Sequence, residues 1–221
     1  MDIKHNKNYF KFNDSLKIIG GVLLVVGLLL LWLGWSYISW ILMLIFTPTG
    51  LAIFLYASIV RSNDADIMED IEKALEDMDI SIENSPHYNK RAKYQDPYTI
   101  NGFEYDGDLL FQKARDGSVF STKYTRSAIH ILSDRLYVFS KTVSPVSDES
   151  ENNVYDIPFD EIAKCEISAI TKKVTYKKSY FLAKQTTLDI TLNDRVVKLP
   201  IHNDVNSEEF IKKLNKTIIS K

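Results

Sequence analysis

Between residues 18 and 60 the chain carries no charged side chain, and apolar residues occupy nearly every position. A single helix of that length would reach about 64 Å, twice the ~30 Å hydrocarbon core of a bilayer. Two helices use the length better. Residues 18–35 would extend about 27 Å and residues 40–60 about 31 Å, with Ser36-Tyr37-Ile38-Ser39 as the turn. The predicted element is therefore a two-helix transmembrane hairpin over residues 18–61. Trp32, Trp35, Tyr37 and Trp40 gather around the turn, and Tyr56 stands near the far end of the second span. Such rings favour the membrane interface, where an apolar body and one polar group can both be satisfied.

The flanks orient the hairpin. Lys4, Lys7, Lys11 and Lys17 precede the first span, Arg61 follows the second, and the turn has no positive charge. Basic residues stay on the cytoplasmic side, so residues 1–17 are expected to form a cytoplasmic N-terminal tail and both termini to be cytoplasmic. A cleaved signal peptide is a poor fit, because the apolar run is too long and no small-residue cleavage site follows the first span. Gly20, Gly27 and Gly34 recur every seven residues and lie near one helix face. Small residues let another backbone approach closely, so this face packs either on the second span or on another subunit, and self-association stays open. Pro48 and Gly50 predict a kink in the second span. Neither span holds an ionisable residue, which argues against proton relay or charged-substrate transport by the hairpin alone.

Beyond residue 61 the pattern changes. Residues 64–83 hold nine acidic side chains and one base, Lys73, with Ile67, Ile71, Leu75 and Met78 at helical spacing. An acidic amphipathic helix followed by linker is expected over residues 62–101. Its acidic start suits the helix dipole, and its charge would be repelled by an anionic leaflet. It fits a stalk or coiled-coil element, or a surface helix packed on the following domain. Pro86 and Pro97 punctuate the linker, which also carries Lys90, Arg91 and Lys93.

Residues 102–221 read as a mainly β cytoplasmic domain. Strands are expected over 109–114 and 118–124 around Asp116-Gly117, and over 128–132 and 135–141 around Ser133-Asp134. Further strands are expected over 154–159, 162–170, 172–182, 187–192 and 195–199. Leu136 and Val138 should face one way and Tyr137 and Phe139 the other. A helix follows over 207–219, capped by Asn206 or Ser207, with Phe210, Ile211, Leu214 and Ile218 as its apolar stripe. The fold class is a membrane α-hairpin plus an α+β, mainly-β domain: an antiparallel barrel or sandwich of about seven strands closed by a C-terminal helix.

Composition adds exclusions. Net charge is −2, which says little about partners, and Cys165 is the only cysteine. An intramolecular disulfide and a multi-cysteine metal site are thereby ruled out. Lysine far outnumbers arginine, and asparagine and isoleucine are frequent, a usage associated with AT-rich bacterial genomes. His5, His87, His130 and His202 show no metal-ligand spacing, and no phosphate-binding loop or nucleophile elbow occurs. Asp106-Gly107-Asp108 pairs two carboxylates without a third ligand and reads as a turn. Cys165 reads as a core residue. It could join His130 in catalysis only if the two met with an orienting partner. No catalytic residue, cofactor or metal is expected, and no nucleic-acid docking motif is present.

The segments Leu132-Ser-Asp-Arg-Leu-Tyr-Val-Phe-Ser140 and Tyr155-Asp-Ile-Pro-Phe-Asp-Glu-Ile-Ala-Lys-Cys-Glu-Ile167 resemble the central strands of the pleckstrin-homology-like superfold, in particular its GRAM and bacterial branches. The resemblance covers roughly residues 102–219. It implies a module that docks on lipid, peptide or protein. The chain departs from the phosphoinositide-binding pattern. Lys113 and Arg115 form a basic pair and Lys123 and Arg126 follow, but residues 102–112 are acidic where a further lysine belongs. The candidate contacts with an anionic surface are instead Lys172, Lys173, Lys177, Lys178 and Lys184, interleaved with Tyr176 and Tyr180. A solvated strand face is the competing reading.

Three functional expectations follow. The first is a non-catalytic docking or scaffold protein, integral to the cell membrane, with a protein partner and anionic lipid headgroups as the contacts its domain would make. The second is an accessory or regulatory subunit of a larger membrane complex, such as a transporter or an envelope-stress or immunity system. The third, an enzyme, would need a pocket lined by convergent polar groups.

Overall fold

When a helix is apolar on every side, its partner is chosen by close approach and not by a polar–apolar boundary. In the computed structural model, α2 (Ser15–Leu33) and α3 (Tyr37–Ile59) make such a pair. A Cβ on Gly20 would lie 2.7 Å from the Phe54 backbone nitrogen, and one on Gly50 would lie 2.5 Å from the Leu24 nitrogen. A Cβ on Gly27 would meet Thr47. Contacts thus run down α3 as they run up α2, so the helices are antiparallel. Pro48 sits inside α3, which continues through it. The structure describes residues 2–11, 15–33, 37–59, 62–83, 97–176, 179–202 and 205–219. These divide into two compact units, 2–67 and 68–221.

The first unit contains a helix not expected from the sequence. In α1 (Ile3–Lys11), Asp2 caps the start, its carboxylate accepting the His5 backbone N–H at 3.1 Å. Asn6, Tyr9 and Phe10 are buried on one face, whereas Lys4, Lys7 and Lys11 are exposed. The Tyr9 hydroxyl donates to Asp64 at 2.7 Å, and the Ser62 hydroxyl donates to Asn6 at 2.6 Å. A run of five polar residues, Lys4 to Asn8, obscures this amphipathic helix in the sequence. The acidic helix α4 (Asp64–Leu75) begins in a reciprocal capping box. The Asn63 side chain accepts from Ala65 N–H at 2.8 Å and Asp66 N–H at 3.0 Å, and Asp66 accepts from Asn63 N–H at 2.8 Å.

In the second unit, residues 68–221 form an α+β structure with antiparallel sheets and a C-terminal helix. A short helix α5 (Met78–Glu83) precedes the strands. The strands are β1 (Tyr98–Phe103), β2 (Phe111–Lys113), β3 (Val119–Ser121), β4 (Tyr124–Ile131), β5 (Arg135–Val143), β6 (Ser150–Pro158), β7 (Ile162–Tyr176), β8 (Ser179–Leu192) and β9 (Val196–Ile201). The final helix is α6 (Val205–Ile219). Among the described residues the strands make three hydrogen-bonded sheets, β1-β4-β5-β6, β2-β3 and β7-β8-β9, rather than a closed barrel. The nearest approach to closure joins β1 and β9, where the backbone N–H of His202 donates to Asn101 at 2.5 Å. There a Cβ on Gly102 would lie 3.0 Å from the Pro200 backbone. That close approach explains a glycine inside β1, which otherwise reads as a break.

The main core lies between the larger sheets and α6. Ile129, Leu136 and Val138 meet Ile157, Leu188, Ile190, Leu199, Phe210 and Leu214 there. Tyr98 stacks on Phe210 with ring centroids 3.7 Å apart. The opposite face of β4 and β5 is also covered. Met78 and Ile82 of α5 pack on Ala128 and Phe139. Arg126 holds Glu72 with two contacts of 2.6 Å, and Lys141 pairs with Asp77. The acidic segment beyond residue 68 is therefore a covering of the sheet, not a free stalk. Tyr137 and Phe139 are fully buried despite facing away from the main core: Met78 and Ile82 of α5 cover Phe139, and Leu132 and Val154 pack with Tyr137.

The expected strand over 172–182 is instead divided between two strands. β7 runs to Tyr176 and β8 starts at Ser179, with Lys173 opposite Leu182. Its alternation of apolar and polar positions gave no sign of the reversal, since both strands share the same period of two.

Candidate interaction surface

β9 pairs with β8 only from Thr186↔Ile201 to Thr191↔Val196. β7 and β8 continue together well past that point, to Tyr176↔Ser179. The outcome is a two-stranded ribbon extending from the three-stranded sheet. Alternation gives it two unlike faces.

One face is covered. Val174 and Ala183 are buried with Phe111, and Leu109, Val119 and Phe181 pack around them. Lys172 lies on this side and pairs with Asp106. The other face is open, with Lys173, Tyr180, Leu182 and Lys184 on it. Tyr180 is 61% exposed and Leu182 67%. The Lys173 ammonium sits 3.7 Å from the centre of the Tyr180 ring. Such an exposed cation–π contact contributes about 0.5–1 kcal/mol and holds the ring in place.

Of the five lysines singled out in the sequence, the structure brings Lys173 and Lys184 onto one face and turns Lys172 to the other. Lys177 and Lys178 lie outside the described residues. Leu182, the most exposed apolar side chain of the ribbon, was missed. Only the strand register could have revealed it, by placing it beside Tyr180 on the uncovered side. In the second lysine-and-arginine group, Arg126 is engaged by Glu72. Of the helix-packing glycines, Gly20 and Gly27 lie against α3, and Gly34 lies outside the described residues. Gly50, expected to kink α3, is part of the same seam.

Clefts indent the second unit among the described residues. One of about 360 Å³ lies between the β2–β3 hairpin and β8, lined by Tyr105, Val119, Phe120, Leu182 and His202. The Tyr105 hydroxyl donates to the Val119 carbonyl at 2.7 Å, and burial pushes its pKa up to about 12. A second, of about 390 Å³, lies beside Lys73, Asp77, Lys141 and Asp148. A third, of about 160 Å³, has Glu104, Asp106, Lys172 and Lys198 on its walls. In each of the latter two, acids and bases are mixed, so neither presents a single-sign site.

Cys165 sits in the main core, where burial pushes its thiol up to about 11. A thiol at that value is mostly protonated and a poor nucleophile at neutral pH. His130 pairs in register with Tyr137, on the opposite face of the sheet from Ile129 and the Cys165 core. Cys165 and His130 therefore do not meet. Among the described residues, no three His, Cys, Asp or Glu side chains are placed to hold a metal ion. Comparisons with protein-family models, with curated proteins and with solved structures find no match to this chain.

Proposed function

We propose that this chain is a non-catalytic docking protein, anchored in the cell membrane by α2 and α3 and presenting a pleckstrin-homology-like domain at the cytoplasmic face. The observation that carries the reading is the outer surface of the helical hairpin. Its glycine seam is satisfied internally, yet Ile18, Val22, Leu28, Leu29, Leu44 and Ile45 remain exposed around it. Soluble surfaces rarely expose a contiguous apolar area of this kind, and lipid would cover it. By length and composition, the stretch Tyr37–Leu75, which holds α3, qualifies as a span, and Leu16–Leu30 of α2 qualifies only together with α1 across a sharp bend.

The domain assignment is supported by strand order. With the short β2–β3 hairpin set aside, seven strands remain, in sheets of four and three, followed by α6. The open ribbon face is the contact surface in this reading. Photo-cross-linking in living cells tests it. A cross-linker at Leu182 should give discrete protein or lipid adducts, whereas one at exposed Glu151 on β6 should not. Equal patterns at the two positions would remove the ribbon from the account.

A second reading, an accessory subunit of a larger membrane complex, is favoured by Gly21. A Cβ there would meet nothing within 4 Å, so α2 offers a close-approach point outside the seam. Recovery of a stoichiometric integral-membrane partner in mild detergent, lost on Gly21→Leu, would select this reading.

A further inference from the structure

α1 is set almost across the direction of α2. The two helices meet at 79°. A transmembrane helix stands within a few tens of degrees of the bilayer normal, so a helix at this angle lies close to the membrane plane. The depth follows from the connection. α1 ends at Lys11 and α2 begins at Ser15, so the link spans at most ~14 Å. The first turn of α2, with Lys17, enters the apolar core from the headgroup layer. α1 is therefore held at or beside that layer.

Its orientation is fixed by contacts within the same unit. Asn6 and Tyr9 are bonded to Ser62 and Asp64, which follow α3, and Phe10 is buried beside Tyr9 with ring centroids 5.0 Å apart. Rotation about the helix axis would break these bonds. Lys4, Lys7 and Lys11 follow at spacings of three and four, so their ammonium groups form one stripe on the side away from the buried face. Among the described residues, Asp2 pairs with His5 and Asp64 accepts from Tyr9. The stripe is thus a set of cations held at headgroup depth by a clamped helix.

We infer that α1 is an interfacial helix whose Lys4, Lys7 and Lys11 stripe binds the headgroups of anionic phospholipids in the leaflet that the hairpin enters. Long lysine stems let the ammonium groups reach phosphates while the helix stays in the plane. Near an anionic surface each lysine is worth about fivefold in association, so the stripe supplies on the order of a hundredfold preference for anionic over neutral lipid. This rests on the membrane-anchored reading above.

The test is hydrogen exchange of the full chain in nanodiscs, with either pure phosphatidylcholine or one-third phosphatidylglycerol. Amides of residues 3–11 should exchange at least severalfold more slowly with phosphatidylglycerol. The difference should vanish in the K4Q/K7Q/K11Q variant and in 0.5 M salt. Glutamine keeps the helix propensity of lysine, so α1 itself should persist in that variant. No dependence on phosphatidylglycerol, or an undiminished one in the variant, would overturn the inference. The same data read α2 and α3 separately: unprotected amides there would instead overturn the membrane anchor.

Discussion

A Cβ on Gly27 would lie 2.4 Å from the Thr47 hydroxyl oxygen and 2.8 Å from the Thr47 backbone nitrogen. The hydroxyl could rotate aside, but the backbone could not. Gly27→Leu should therefore push α2 from α3 and destabilise the hairpin by about 1–3 kcal/mol. Gly21→Leu, pointing into open space, should be nearly neutral toward the hairpin. Thermal unfolding in detergent, followed by helical circular dichroism, compares them. Equal melting temperatures would show that the seam does not run through Gly27.

Lys141 is 5% exposed and its partner Asp77 is 62% exposed. Removing the acid leaves a buried cation without its counter-charge, while replacing the cation by an apolar chain removes the problem. Asp77→Ala should destabilise the second unit by about 1–2 kcal/mol, discounted for the solvent around Asp77. Lys141→Met should be milder. Urea denaturation followed by tyrosine fluorescence ranks the two, and the reverse order would show that Lys141 is held by something other than Asp77.

The same pair gives a pH dependence. The Lys141 hydrogen bond holds the Asp77 carboxyl below its usual range, and the Ser118 hydroxyl and N–H do the same for Asp116. A carboxylate whose pKa is depressed by folding contributes stability that is fully present above its unfolded value, near 3.9. That stability is lost as pH falls through the folded value. Stability should thus decline below about pH 4. The decline should be shallower in Asp77→Asn, measured by urea midpoints between pH 3 and 7.

Burial of Cys165 predicts slow alkylation. With the thiol at about 11, only about one part in ten thousand is thiolate at pH 7, against a few per cent for a free cysteine. Iodoacetamide should label the native chain far more slowly than the urea-unfolded one. Comparable rates would place Cys165 outside the core.

Much of the fold was legible because burial leaves a period in the sequence. The alternation of Leu136 and Val138 with Tyr137 and Phe139, and of Leu188, Ile190 and Leu192, marked true strand faces. What lay hidden was whatever depends on a distant partner. α1 is too short and polar to stand out, and its buried Asn6 is explained only by Ser62. β1 straddles the boundary expected at residue 102, and its Gly102 is required by the close approach of β9. The ribbon's two faces have the same alternation, and only the β2–β3 hairpin covering one of them distinguishes Lys172 from Lys173. Gly20 and Gly27 were visible through their seven-residue spacing, whereas Gly50, which joins the seam from α3, has no such spacing to announce it.

The account depends most on α2 and α3 crossing the membrane with both ends on one side. Single cysteines at Ser39, near the hairpin turn, and at Asn8 and Lys213, in a C165A background, test this in intact cells with a membrane-impermeant maleimide. The account predicts labelling at Ser39→Cys alone, with Asn8→Cys and Lys213→Cys labelled only after permeabilisation, and retention of the chain in the membrane pellet at alkaline pH. Release of the chain by alkali, or labelling of all three positions in intact cells, would contradict it.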